Sequence, residues 1–412
     1  MDVYLHRQLV GSLIQDEHGD MVFEYSAQRL TDDSAIPLSQ SLPLRQERYE
    51  QNECAGFFGG ILPDGDKREI LAKEFSLSAK NDYSMLELIG GECAGAVTFV
   101  PSGEKLPADE ERYRPLTNHE LAKALRELPS RPLLANGEDI RISLAGAQDK
   151  IAVHISDNQI YIPLAGAMST HIIKPESAHV DDIVFNELLC MKLATAIGLQ
   201  AAEVELGNTD GINYLLVKRY DRTSDEAAPL SRLHQEDFCQ AMGVFSKNKY
   251  QYEGGPTLEQ SFALVGDVSS IPVIDLRSLL DGVIFNFLIG NNDAHGKNYS
   301  LLYFGHTKFD LETRLAPLYD LLSTVYHFRE RSSRMAMKIG GEYESDKIYP
   351  RHFERLADEA NLGKPMVLRR VIELAKLVMS TLPGVTRDDA ASIKVAKLIR
   401  GRWERTIDRF QR

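Results

Sequence analysis

No stretch of this 412-residue chain approaches the roughly 18 uninterrupted apolar residues that a membrane-spanning helix needs. The first residues, Met1-Asp2-Val3-Tyr4-Leu5-His6-Arg7, have neither the basic start nor the apolar run of a secretory signal. No membrane association is therefore expected, and a cytoplasmic location is. Cysteine is scarce: Cys54, Cys93, Cys190 and Cys239 are far apart and form no CxxC pair. That argues against a disulfide framework and a cysteine-based zinc site, and leaves four small hydrophobes. Positive charge is also in deficit, 47 Lys and Arg against 60 Asp and Glu, a net charge of −13. The overall field does not draw such a chain to nucleic acid. Internal repeats and low-complexity tracts are missing too.

The charge is unevenly spread. Lys394, Lys397, Arg400, Arg402, Arg405, Arg409 and Arg412 face only Glu404 and Asp408 in the last 22 residues, a local excess of +5 on helical apolar spacing. Such a segment reads either as the solvated face of a terminal helix or as a phosphate-contacting edge beside a DNA-binding partner.

A chain this long exceeds one ordinary core, so two or more lobes are expected. Short strands, turns and a helix at Asp66–Phe75 make residues 1–110 a small α+β subdomain. Its end, Pro101–Pro115, is charged and proline-punctuated and reads as a linker or an extended crossover. Residues 111–235 read as a second α+β unit, with strands near Lys150–Ser156, Gln159–Ile162 and Thr170–Lys174 and a long helix over Asp181–Ile197. Residues 236–412 are mostly helical, including Asp275–Ile289, Met366–Leu382 and Asp388–Phe410.

Four segments carry chemistry. Asn292-Asp293-Ala294-His295-Gly296-Lys297-Asn298 follows a strongly apolar helix and sets a carboxylate and an amide five positions apart. Kinase loops use that spacing: the aspartate orients the attacking hydroxyl, and the neutral amide oxygen helps to hold magnesium. Turn satisfaction by Asn, Asp and Gly is the alternative for the loop alone. Leu318-Tyr319-Asp320 then places a second carboxylate after an apparent hairpin, where kinases keep another magnesium ligand. Arg141-Ile-Ser143-Leu-Ala-Gly-Ala-Gln-Asp-Lys150 is a small-residue loop whose N–H groups suit phosphate oxygens, or an ordinary turn. Lys174 ends the apolar run His171-Ile172-Ile173, as a snorkelling surface residue or a phosphate-neutralising one, with Glu187 as a positional ion-pair candidate.

In this order, and together with Phe58-Gly-Gly-Ile-Leu-Pro-Asp-Gly65, Gln235-Glu-Asp-Phe-Cys-Gln240 and Tyr349-Pro-Arg-His-Phe353, these segments resemble the motif set of the HipA toxins over nearly the whole chain. The resemblance implies a two-lobed protein-kinase-like α+β fold: a mixed α/β N-terminal lobe carrying an added subdomain, and an all-α C-terminal lobe. It implies an ATP- and Mg2+-dependent serine/threonine kinase. Asp293 then matches the catalytic base, and Asn298 and Asp320 the metal ligands. Ala145, Gly146, Ala147, Gln148, Asp149, Lys150 and Lys174 match the phosphate side of the nucleotide site. Glu236, Asp237 and Phe238 match the adenine hinge, with His295 and Tyr319 also on the nucleotide side. Ser143 matches the autophosphorylated serine.

The resemblance further implies a HipB-like helix-turn-helix antitoxin, operator DNA reached through that partner, and a protein substrate for which glutamyl-tRNA synthetase is the family precedent. Phosphorylating it halts translation and growth, and is linked to persistence. Asp149 stands where Glu is common in the family, and Gly59-Gly60-Ile61 where Asn-Leu-Leu is frequent. A small-molecule kinase and a DNA-bound corepressor scaffold are the competing functional classes.

Overall fold

The period-two patterning of the first 25 residues forms strands, as expected. In the computed structural model, Asp2–Leu5, Gln8–Gln15 and Met21–Tyr25 run antiparallel, and Val97–Val100 pairs on the free side of Asp2–Leu5. The structure describes residues 1–104, 106, 112–134, 141–177, 179–225, 228–327 and 334–410. The fourth strand begins only at Val97, because Gly95 takes φ +76 and breaks the extended run before it. Glu92 ahead of it makes an isolated parallel bridge to Ile142.

Two compact units result. One comprises residues 1–175, 207–247 and 301–313, the other residues 176–206, 248–300 and 314–412. The boundary expected near residue 235 falls inside the first unit.

The first unit holds the four-stranded sheet and a six-stranded one ordered Arg112–Pro115, Gln159–Leu164, Ile151–Ser156, His171–Pro175, Ile212–Lys218, Val204–Thr209. The segment read as a linker thus contributes the edge strand Arg112–Pro115, a position where Pro115 removes no needed donor. Helix Gln51–Gly60 buries Phe57 and Phe58, with Phe58 against Phe23 and Phe99 at ring distances of 5.3 and 5.9 Å. Its glycines hid it from propensity rules. They are there for packing: a Cβ on Gly56 would lie 2.4 Å from the Gly243 backbone.

The second unit is helical apart from the hairpin Arg334–Ile339 with Glu342–Glu344 and short strand segments. Helix Pro272–Ile289 is buried continuously from Leu279 to Ile289, the all-round burial expected of so apolar a segment. Leu258–Val268, Lys364–Val385 and Ala390–Phe410 pack on it, and Arg370 clamps Asp281 with two bonds of 2.7 Å. Among the described residues, no helix is long and apolar enough to cross a membrane.

Candidate active site

The apolar helix Pro272–Ile289 stops at Gly290, which takes φ +74 as its left-handed cap. Only glycine fits: a Cβ would meet Val325 Cγ2 at 2.5 Å and Arg402 Nε at 2.8 Å. The chain then enters the Asn292–Asn298 loop, whose path is set by side chains that the sequence did not flag. The Asn291 amide donates to Asn286 Oδ1 (2.9 Å) and to the Asp320 carbonyl (3.3 Å), and its own Oδ1 accepts from the Asp293 N–H (3.2 Å). Thr324 Oγ1 accepts from the Asn292 N–H at 2.7 Å, and the Ala336 N–H donates to the Asn292 carbonyl at 2.8 Å.

Asp293 reaches solvent, and its Oδ1 accepts a 2.7 Å hydrogen bond from the Tyr250 hydroxyl. Protein crowded around the carboxyl pushes its pKa up. The Tyr250 bond and Lys249 oppose that push, and the charge of Asp320 adds to it.

Asn298 and Asp320, 22 residues apart, are brought together: Asn298 Nδ2 donates to Asp320 Oδ2 at 3.4 Å. Asn298 Oδ1 accepts from the His295 N–H (3.1 Å), which leaves that carbonyl one lone pair. Asp320 sits at φ +53, a left-handed conformation uncommon outside glycine and held here by its surroundings. As placed, the Asn298 amide nitrogen rather than its oxygen faces the Asp320 carboxylate; the pair nonetheless carries carboxylate and amide oxygens, the hard donors that fit magnesium, which takes few protein ligands and keeps several waters. Tyr319, expected on the nucleotide side, donates its hydroxyl proton to the Lys297 carbonyl (2.7 Å) and lies 2.7 Å from Ser300 Oγ, so it fastens the loop's end. His295 is buried, and its ring lies edge-on to Tyr250, 5.2 Å between centroids.

The first unit carries the other expected groups. Gly146 takes φ +101 within the loop 145–150, and a Cβ there would lie 2.9 Å from Lys150 Nζ. The loop rests on the segment that ends in Pro63-Asp64-Gly65. Pro63 bridges Gly146 in parallel, the Asp64 N–H donates to the Gly146 carbonyl (3.2 Å), and Lys67 forms an ion pair with Asp149. Asp64 Oδ1 in turn accepts from Ser246 Oγ at 2.5 Å. The N-terminal motif therefore braces the loop 145–150, a role that no local pattern announced. Lys174 is buried on strand His171–Pro175.

Ser143 is fully buried at the root of this loop. Its hydroxyl donates to the Ile61 carbonyl at 2.9 Å, and its N–H to the Glu92 carbonyl at 2.8 Å. Glu92, also wholly buried, accepts from Arg219 (3.0 Å) and Arg222 (2.5 Å), and Arg219 continues to Asp221. Burial alone would raise the Glu92 carboxyl, but the two guanidiniums outweigh it and hold the group below its ordinary range.

Glu236, expected in the adenine hinge, has its carboxylate committed elsewhere. Oε1 accepts from the Gln40 N–H (3.0 Å) and the Tyr303 hydroxyl (2.5 Å), and Oε2 from Ser39 Oγ (2.5 Å). Asp237 caps the short helix Phe238–Ala241 through the Gln240 N–H (2.8 Å), and Phe238 is buried. What this segment can offer a base is its backbone. Burial pushes the Glu236 carboxyl from 4.5 to about 7. The folded state therefore holds this proton more tightly than the unfolded chain does. The associated stability is complete below pH 4.5 and is lost as pH rises through about 7. Unfolding in urea at pH 5 and pH 8 is expected to show Glu236→Gln losing on the order of 3 kcal/mol less than the parent across that interval.

The basic C-terminal helix Ala390–Phe410 is of two kinds. Lys394, Lys397 and Arg400 are exposed, and the first two line a cavity of about 1170 Å3 together with Asp181, Asp182 and Tyr326. Arg402 is buried instead, and donates to the Phe287 carbonyl at 3.2 Å in the last turn before Gly290. Arg412 lies outside the described residues.

Fold and site together define a protein of the protein-kinase-like class. Residues 1–100 match the HipA N-terminal domain and residues 142–382 the HipA-like C-terminal domain. The chain is 41% identical over 391 residues to putative kinase Y4mE of Sinorhizobium fredii, covering 94% of this chain and 91% of that one. It is 28% identical over 412 residues to the serine/threonine-protein kinase toxin HipA of Shewanella oneidensis, covering 95% and 92%. The solved complex of Shewanella oneidensis MR-1 HipA with HipB and its operator DNA aligns over 100% of this chain and 98% of that one, with a TM-score of 0.85 at 26% identity. The chain belongs to the HipA family.

Proposed function

We propose that this chain is the toxin of a type II toxin–antitoxin pair and acts as an ATP- and Mg2+-dependent serine/threonine protein kinase. The observation that carries the reading is the convergence of Asn298 and Asp320 to 3.4 Å beside Asp293, in a family whose named members include a serine/threonine kinase toxin. ATP bound with magnesium supplies an activated γ-phosphoryl group. Asp293 orients the acceptor serine and takes its proton. Asn298 and Asp320 would hold the metal, which would offset charge on the phosphates. Lys174 and the N–H groups of residues 145–150 offset phosphate charge, and the backbone at 236–238 borders the base. Such catalysis is mainly positioning and electrostatics. Incubation with γ-labelled ATP, Mg2+ and bacterial extract is expected to put label into protein, with loss of transfer in EDTA. Label confined to small molecules would favour the metabolite-kinase reading instead.

Ser143 is the proposed site of self-modification. A phosphoryl group adds about −1.5 to −2 charges. The buried hydroxyl bonded to Ile61 leaves no room for it, so the modified loop must leave its seat. Phosphorylation then removes the phosphate cradle and switches the kinase off.

The proposed partners are a HipB-like antitoxin and, through it, operator DNA, by which the pair represses its own operon. Glutamyl-tRNA synthetase is the proposed substrate on family precedent, and its modification would arrest growth. The exposed Lys394, Lys397 and Arg400 suit a phosphate backbone. Replacing all three by glutamine is expected to weaken partner-dependent DNA binding and to reduce the slope of log K against log[salt] by up to about 3, as read by anisotropy titrations across a salt series. An unchanged slope would remove this helix from the DNA surface.

A further inference from the structure

Tyr250 stands in an unusual relation to the loop that holds Asp293. Its hydroxyl is 2.7 Å from Asp293 Oδ1, one of the two carboxylate oxygens that a kinase aspartate has to offer an incoming hydroxyl. The segment that carries it is built to keep it there. The Lys249 carbonyl accepts from the Gly296 N–H (3.3 Å) inside the catalytic loop, and Gln251 Oε1 accepts from the Lys338 N–H (2.7 Å) on the neighbouring hairpin. Gly255 closes the turn against the Asn248 carbonyl, where a Cβ would lie only 2.3 Å away. The Tyr250 ring is gripped on two sides, stacked on Tyr252 at 5.3 Å and edge-on to His295 at 5.2 Å.

A hydroxyl in that place sits as an acceptor serine would before reaction: it donates a charge-assisted hydrogen bond to Asp293. We propose that Tyr250 is a positioning residue that stands in for the acceptor hydroxyl, occupying Asp293 Oδ1 until a substrate serine displaces it and thereby denying that oxygen to water. This rests on the kinase reading. The reaction it suppresses is futile hydrolysis. In that step a water oxygen bonds to the γ-phosphorus of ATP, the bond from that phosphorus to the β,γ-bridging oxygen breaks, and ADP leaves with the electron pair. The water's proton passes to Asp293, and inorganic phosphate is the other product. With Tyr250 in place, Oδ1 is already taken and the carboxylate that would receive the proton is the weaker base for it. A serine delivered on a docked protein can compete with the tyrosine, because the rest of the substrate supplies the binding that displaces it.

The test compares the full-length protein with Tyr250→Phe and with Tyr252→Phe. The first change keeps the gripped ring and deletes only the hydroxyl; the second leaves the hydroxyl in place. ADP release is followed in Mg2+ and ATP without acceptor, and label transfer to casein is measured in parallel. Tyr250→Phe is expected to raise kcat for hydrolysis about tenfold, the scale of one hydrogen bond to a charged group, with KM for ATP within about twofold. Tyr252→Phe is expected to leave hydrolysis at the parental rate. Hydrolysis unchanged or lowered in Tyr250→Phe, while the parent transfers label normally, would overturn the proposal and make the hydroxyl a permanent support of Asp293. Label found on Tyr250 itself would also overturn it, since the tyrosine would then be a substrate. If the parent and both variants neither transfer label nor release ADP, the kinase reading fails first and this inference falls with it.

Discussion

Replacing Asp293 by alanine is expected to lower phosphoryl transfer to protein by about a hundred- to a thousandfold or more, the scale of losing one preorganised polar contact in a catalytic site. The change should appear in kcat, with little effect on KM for ATP. The reason lies in what surrounds the carboxylate. Asp293 is a loop residue that reaches solvent, and its backbone N–H is fixed by Asn291 rather than by its own side chain. Removing the side chain therefore takes away the proposed proton acceptor and leaves the loop tied down by Asn291, Thr324 and Tyr319. Steady-state kinetics with an unchanged thermal midpoint would locate the loss in chemistry. A variant with a collapsed midpoint would indicate that the carboxylate also supports the fold.

The largest stability effect is expected in the other unit, at Arg219. Its guanidinium is almost wholly buried between Glu92 and Asp221, and it also donates to Ser169 Oγ (2.8 Å) and the Cys93 carbonyl (2.9 Å). Deleting it strands negative charge in the interior, with Arg222 paired to Glu92 and the charge of Arg232 left to compensate. Arg219→Ala is therefore expected to cost about 3–5 kcal/mol in urea unfolding at neutral pH. Removing Arg355 from its exposed pair with Glu359 should cost well under 1 kcal/mol, because that pair is already screened by water. The Arg219 effect should extend to the loop 145–150, since the Glu92 carbonyl holds the N–H of Ser143 at its root. A loss at Arg219 no larger than that at Arg355 would mean the network is not the anchor of this core.

How much of this could be read from the chain alone differs between chemistry and its support. Asp293 and Asn298 are five residues apart on one tight loop, so their association is local and the spacing revealed it. Asp320 was legible only with that loop already in hand, and the fold then placed it against Asn298. Tyr250 was not legible, because nothing in Lys249-Tyr250-Gln251 marks a tyrosine whose partner lies 43 residues on. Asp64 and Lys67 were missed for the same reason: their partners in the 145–150 loop are some 80 residues away. Helix Gln51–Gly60 escaped because its glycines answer to a close approach by Gly243 and Gln240 rather than to helix propensity. Arg402 was counted with a basic face, yet it turns inward to the carbonyl end of helix Pro272–Ile289. Patterns of polarity report which way a face points on average, and a single long side chain can depart from that average.

The most direct test of the central reading is a mass measurement. The purified protein and its Asp293→Ala variant would be weighed intact before and after incubation with Mg2+ and γ-labelled ATP, and any label mapped to a peptide. The account predicts one added phosphoryl group, on Ser143, in the parent and none in the variant. A parent that already carries that group as purified, absent from the variant, says the same. A parent unmodified before and after, with ATP and Mg2+ present, would contradict the account and turn attention to the scaffold and small-molecule readings.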